Sequence, residues 1–261
     1  MNLKLLAIIS LLMTGHTCLS SPTKIEWLTQ CKSAAGETKK TYEAIRKNFK
    51  TLLGKPSCSQ IYKKASKTKK LILNNSKLSD LRPLNIFTNL KHLELKHNHI
   101  SDISALSELS ELRTIHLTEN LIEDLEPLAN HKNLTQLYLE KNRISDLSPL
   151  AMLPLSDLGL SHNRVRDINP LSTLTHLSIL DLTDNFIDDF SPLENLLELE
   201  WIIDNNGLIL DLAQAEPQIL DSNIFFYTDN SEHTLYSLNS TNRLSDTSID
   251  GFSIENEEKD I

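Results

Sequence analysis

The sequence predicts an α/β solenoid: a right-handed coil of short parallel strands on the concave side, returned by short 3₁₀ or irregular turns on the convex side. Three observations carry this reading. The chain repeats itself at a period near 22 residues, each repeat opens on a Leu-x-Leu alternation, and proline recurs at one fixed place in the return arm. The block Leu93 to Ile103 recurs as Ile115 to Leu125, Leu137 to Leu147, Leu158 to Ile168 and Leu180 to Phe190. An earlier copy, Leu71 to Leu81, has Ser76 where the others carry asparagine, and a worn copy begins near Trp201. The asparagine slot falls at 76, 98, 120, 142, 163, 185 and 206, so the steps are 22, 22, 22, 21, 22 and 21 residues. Such fixed periods mark repeat architectures, in which no single unit can bury its apolar face alone.

Five segments follow along the chain. Residues 1–20 read as a secretory signal. Met1 to Lys4 gives a positively charged start, and Leu5 to Met13 an apolar run too short to span a bilayer. Cleavage is expected between Ser20 and Ser21, with lipidation at Cys18 as the competing reading. Residues 21–65 read as a helical cap, because Ile25, Trp27, Leu28 and Cys31, and then Tyr42, Ile45, Phe49 and Leu52, fall near helical spacing. Residues 66–206 hold about seven repeats. Residues 207–238 carry enough apolar side chains to seal the far end irregularly, and residues 239–261 are polar, acidic and expected to be disordered. With the signal removed, Cys31 and Cys58 are the only cysteines left, and an even count in an exported chain favours a disulfide.

Each repeated residue type has a physical task. Alternate leucines of a short strand point to one side, the interior. Asn98, Asn120, Asn142, Asn163, Asn185 and Asn206 follow the strand where the chain turns inward, where a buried amide satisfies backbone groups that the turn leaves unpaired. Asp80, Asp102, Asp124, Asp146, Asp167 and Asp189 open the return arm as caps, and in most repeats a proline follows three residues later, as at Pro83 and Pro127.

The resulting pattern, Leu-x-x-Leu-x-Leu-x-x-Asn-x-Ile-x-Asp-Leu-x-Pro-Leu, resembles the 22-residue leucine-rich repeat of bacterial internalins. The phosphatase-binding regulatory subunits of eukaryotes carry a similar one. The resemblance covers residues 71–206 and implies a leucine-rich-repeat solenoid; the signal favours the exported, internalin-like branch. The C-terminal stretch carries no wall-sorting motif followed by an apolar tail, so surface attachment as internalins achieve it, with a downstream immunoglobulin-like domain, is not expected.

Composition narrows the function. Six scattered glycines give no phosphate-cradling loop, so nucleotide folds are disfavoured. Charge is segregated: residues 21–70 carry 13 Lys+Arg against 3 Asp+Glu, residues 71–206 carry 10 against 21, and residues 207–261 carry 2 against 11. Such a dipole suits steering towards a charged partner. Serine and aspartate belong to the repeat itself, so a Ser-His-Asp search finds only the framework, and no enzyme is expected. The lysines of 63–70 lack interleaved stacking aromatics, and an exported acidic chain is not expected to bind nucleic acid or to insert stably in a membrane.

The concave positions are legible from the repeat. A central column reads Ile72, Glu94, His116, Tyr138, Gly159, Asp181 and Ile202, flanked by columns containing His92, Gln136, Asp157 and Glu200, and Lys96, Glu140 and Asp204. The expected footprint comprises His92, Glu94, Lys96, His116, Gln136, Tyr138, Glu140, Asp157 and Asp181, centred on His116 and Tyr138. Tyrosine buries large area at small entropic cost. His92, Glu94 and His116 have the residue types of a zinc site, but polar strand faces produce such clusters by accident, and no metal or cofactor is expected. The reading is a monomeric, secreted or envelope-facing protein that binds a protein partner. A structural or adhesive envelope role, and regulatory inhibition of a partner enzyme, stay open.

Overall fold

The computed structural model describes residues 23–194, 196–199, 201–203, 209–211, 224–226, 235–239 and 243–246. The expected signal at 1–20, its Cys18, and Asn206 lie outside the described residues.

Three helices begin the fold: α1 (Lys24–Ser33), α2 (Gly36–Leu53) and α3 (Cys58–Ala65). Thr23 with Glu26, and Ser57 with Gln60, form capping boxes that satisfy the first amides of α1 and α3. Gly54 ends α2 at φ 73°, a left-handed conformation that glycine adopts without Cβ strain. The helices cover the open end of the solenoid. Trp27 is fully buried between the Tyr42 and Tyr62 rings, at 5.2 and 5.8 Å, and its Nε1 donates to the Pro83 carbonyl at 3.0 Å. Thr41 Oγ1 donates to the Asp80 carbonyl at 2.6 Å, so cap and first return arm share polar contacts as well as apolar ones. Burial pushes the Tyr42 phenol up to about 12, with Asp80 adding to the effect. The Sγ atoms of Cys31 on α1 and Cys58 on α3 stand 2.11 Å apart, and Arg46 of α2 donates to the Cys31 carbonyl at 2.9 Å.

Seven parallel strands then stack side by side: β1 (Lys70–Ile72), β2 (His92–Glu94), β3 (Thr114–His116), β4 (Gln136–Tyr138), β5 (Asp157–Gly159), β6 (Ile179–Asp181) and β7 (Trp201–Ile203). The middle residues Leu71, Leu93, Ile115, Leu137, Leu158 and Leu180 are at most 1% exposed and form one continuous inner row. Each contributes on the order of 2 kcal/mol by leaving water. Between strands the chain returns through 3₁₀ turns at Arg82–Ile86, Ser104–Leu106, Glu126–Leu128, Ser148–Leu150, Asn169–Thr173 and Ser191–Leu193. The architecture is a leucine-rich-repeat solenoid with a curved parallel sheet.

The turns follow from two side chains. The Oδ1 atoms of Asp80, Asp102, Asp124, Asp146, Asp167 and Asp189 each accept from the backbone N–H two residues on, at 2.8 to 3.0 Å. This local bond turns the chain into the 3₁₀ segment. Proline occupies the first turn in five of the six, where its missing N–H costs nothing. On the other side of the strands, Asn120 Nδ2 donates to Leu95 O of the previous repeat and Leu117 O of its own, while its Oδ1 accepts from Ile100 N. Asn98, Asn142, Asn163 and Asn185 repeat that pattern, all buried.

The C-terminal end departs from the sequence reading in two ways. First, β7 pairs Asp181 with Ile203 and Leu180 with Ile202, so Ile203, not Ile202, continues the central column. A one-residue shift exchanges the two faces of a strand, and Trp201-Ile202-Ile203 is apolar at all three positions, so its pattern does not discriminate the two registers. The step is 22 residues here, and counting back from Asn206 gave 21. Second, an eighth strand, β8 (Ile209–Asp211), runs antiparallel to β7, and β9 (Ile224–Phe226), β10 (Leu235–Asn239) and β11 (Arg243–Asp246) form a separate antiparallel sheet. Strand β11 falls in the stretch read as a disordered tail.

Candidate partner-binding face

The outward residues of β1 to β6 form a polar sheet face whose side chains hold one another. At its basic end Lys70 Nζ lies 2.8 Å from Glu94 Oε1, and Asn74 Nδ2 donates to Glu94 Oε2 at 3.1 Å. The Lys70 hydrogen bond keeps the Glu94 carboxyl below the usual carboxylate range, outweighing burial. Glu94 is thereby engaged as a structural anion, and among the described residues no group of three or more His, Cys, Asp or Glu is arranged to hold a metal. His92 is exposed beside it, and Lys96 is half-buried with its backbone N–H on Asn74 Oδ1.

In the middle, the rings of His116 and Tyr138 stack at 4.4 Å between centroids and 5° between planes. Burial lowers the His116 imidazole, with Lys96 adding to the effect and Glu94 opposing it, so a neutral ring faces the phenol. Burial also raises the Tyr138 phenol, helped by Asp157, whose Oδ1 lies 3.5 Å from the hydroxyl. Both rings keep part of their surface open to solvent. A rigid aromatic platform of this kind offers apolar area already ordered, so little side-chain entropy is lost on contact.

Towards the acidic end, Thr114 Oγ1 donates to Gln136 Oε1 at 3.0 Å, and Gln136 Nε2 donates to Asp157 Oδ2 at 3.4 Å. Thr118 donates to Glu140, and Asp181 Oδ1 accepts from the Thr183 N–H and hydroxyl at 3.0 and 2.7 Å. Of the nine expected face residues, the structure places all on adjacent strands or the residues just after them. The His116–Tyr138 pair and the Gln136–Asp157 and Tyr138–Asp157 pairs are brought together; His92 and Asp181 stand apart from that cluster.

Two features escaped the sequence reading. Gly159 stands between Tyr138 and Asp181, and the Glu140 carboxylate occupies the space that a Cβ at 159 would need. Glu140 thus folds across the next strand, and a single glycine among side-chain-bearing neighbours was the available signal. The residue before each of the six described slots is left-handed: Asn75, His97, Glu119, Lys141, His162 and Asp184 have φ of 52 to 56°. Along that column His97 and Lys141 both pair with Glu119, at 2.5 and 2.9 Å, and His162 pairs with Asp184 at 2.9 Å. The run of polar residues at that position was visible in sequence, but its backbone conformation was not.

The family model for leucine-rich repeats in two copies matches residues 88–130, 110–152 and 155–195. Among solved structures, the internalin InlF of Listeria monocytogenes is 34% identical with a TM-score of 0.57, covering 61% of this chain and 48% of that one. The chain is similar to leucine-rich-repeat proteins of the internalin kind. The internalin C2 of the same organism matches at 27% identity and a TM-score of 0.42, over 62% of this chain and 92% of that one. A leucine-rich-repeat protein of Leptospira interrogans matches at 25% and 0.49, over 52% and 37%. No curated protein matches the chain. This internalin-like chain spans about half the length of the InlF chain. Leucine-rich repeats of this kind are a protein-interaction fold. Among the described residues no helix is long and apolar enough to cross a membrane.

Proposed function

We propose that the chain is an exported, non-catalytic binding protein that recognises a protein partner on its concave face. The observation that carries this reading is the stacked His116–Tyr138 platform, whose phenol lies 3.5 Å from Asp157 Oδ1 and whose rings keep surface open to solvent. The footprint comprises His92, Glu94, Lys96, Gln136, Glu140, Asp157 and Asp181 around that pair. Export is supported by the signal pattern of residues 1–20, and a Cys31–Cys58 disulfide in the exported protein by sulfurs at bonding distance. The framework residues Asn98, Asn120, Asn142, Asn163 and Asn185 act structurally, and the protein works as a monomer without cofactor.

The test is capture from envelope and host-type extracts with residues 21–261, beside a Tyr138→Ala/His116→Ala variant. A protein held by the wild type and lost by the variant supports the reading. Equal capture by both sinks the concave face as the site, and favours an adhesive or structural role.

A further inference from the structure

A second surface lies along the leading edge of the first strands. Lys69, Lys91 and Arg113 immediately precede β1, β2 and β3, and backbone bonds hold them in a row: Lys91 N to Lys69 O at 2.8 Å, and Arg113 N to Lys91 O at 2.9 Å. Neighbouring strands stand about 4.8 Å apart, so the row carries one cation per repeat at that interval. Helix α3 extends it. Lys63 and Lys64 occupy its last turn, and Lys67 follows in the turn closed by Lys67 N to Lys64 O at 3.0 Å. Five of the six side chains are exposed and Lys91 is partly so.

Among the described residues none of the six makes an ion pair, although Glu111 lies two residues before Arg113. Lys70, the neighbouring lysine on β1, is the one already committed to a carboxylate, Glu94. Holding like charges this close is unfavourable without a counter-charge, and the fold supplies none here. The row then stops: the next residues in the same register are Thr135, Ser156 and Ser178.

We infer that this edge is a docking surface for a linear sulfated or carboxylated polysaccharide. The shape is a row, one cation wide along three strands, which suits a chain with charges along its length. Nucleic acid is disfavoured because the neighbouring aromatic, Tyr62, is engaged with Trp27 rather than free to stack on bases. A bilayer is disfavoured because the row itself holds only cations, and the exposed apolar side chain nearest to it in sequence, Ile72, stands alone in the central column of the concave sheet. This surface is independent of the concave footprint, so either can fail alone.

The test is binding of the chain to heparin, with neutral dextran and vesicles of phosphatidylserine and phosphatidylcholine as comparators. The row variant Lys69→Ser/Lys91→Ser/Arg113→Thr installs residues that later repeats carry at the same register. A control, Lys132→Ser/Arg143→Ser/Arg164→Ser, removes as much charge elsewhere. The expected result is heparin binding that weakens by roughly tenfold or more from 50 to 200 mM salt, is lost at least tenfold in the row variant, and survives in the control. On the wild type, heparin should protect Lys69 and Lys91 from acetylation, a readout that needs no variant to fold. Unchanged heparin affinity in a folded row variant, equal loss in the control, absence of protection, or capture by vesicles without heparin binding would each overturn the inference.

Discussion

On β4, Leu137 is fully buried, while Gln136 and Tyr138 on either side reach solvent. The same contrast holds on β1, β2 and β6, while on β3 and β5 one flanking residue, Thr114 or Gly159, is buried as well. The inner row is nearly one residue type repeated, because each position meets the same neighbours above and below. The outer face changes at every step, from Lys70 and Glu94 through His116 and Tyr138 to Asp157 and Asp181, because its neighbours meet pairwise and no common core sets their size. Stability belongs to one side of the strand, and the proposed partner footprint lies on the other.

That contrast can be broken from the inside. Leu137→Ala should cost about 3–5 kcal/mol, read as a lower denaturation midpoint, because a cavity opens between two repeats that cannot collapse independently. Asn142→Ala should cost about 2–4 kcal/mol in the same assay. It leaves the Ile122 N–H without its acceptor and takes a donor from Leu117 O and Leu139 O, all within the core.

A subtler case is His131, which stands 1% exposed where the other repeats have Phe87, Leu109, Leu153, Leu174 and Leu196. Its Nδ1 and Nε2 lie 3.2 and 3.1 Å from Leu128 O and Leu106 O, and burial lowers its pKa against the pull of those carbonyls. Burial thus favours the neutral form in the fold. Its contribution is therefore complete above the ordinary histidine range near 6.5 and is lost as pH falls through that range to the lowered folded value. His131→Leu should raise the melting temperature, with a larger gain at pH 5 than at pH 7.5. An equal gain at both pH values would show that the imidazole binds protons equally in the folded and unfolded states, with no shift on folding. The smallest effect is expected outside: Tyr138→Ala should change stability by less than about 1 kcal/mol while removing half of the aromatic platform.

How much of this was legible follows from the same division. The six 3₁₀ turns with their aspartates were readable because a local Asp-to-amide bond needs only nearest neighbours in sequence. The inward leucines were readable because period two fixes a face. The register at Trp201–Ile203 was not, since three apolar residues in a row satisfy either alignment and only the pairing with β6 decides between them. On the outer face the columns were readable but their couplings were not. That Glu140 lies over Gly159, or that Asn74 holds Glu94, depends on rotamers set by residues about 20 positions away.

The measurement that tests the division most directly is hydroxyl-radical footprinting of the chain alone and with its captured partner. Tyr138 and His116 report the concave face, and Met152, 85% exposed beside a return turn, reports the outer side. The account predicts that the partner shields Tyr138 and His116 while Met152 oxidises at an unchanged rate. Shielding of Met152 with Tyr138 still reactive would contradict it, and would move the binding surface to the return arms.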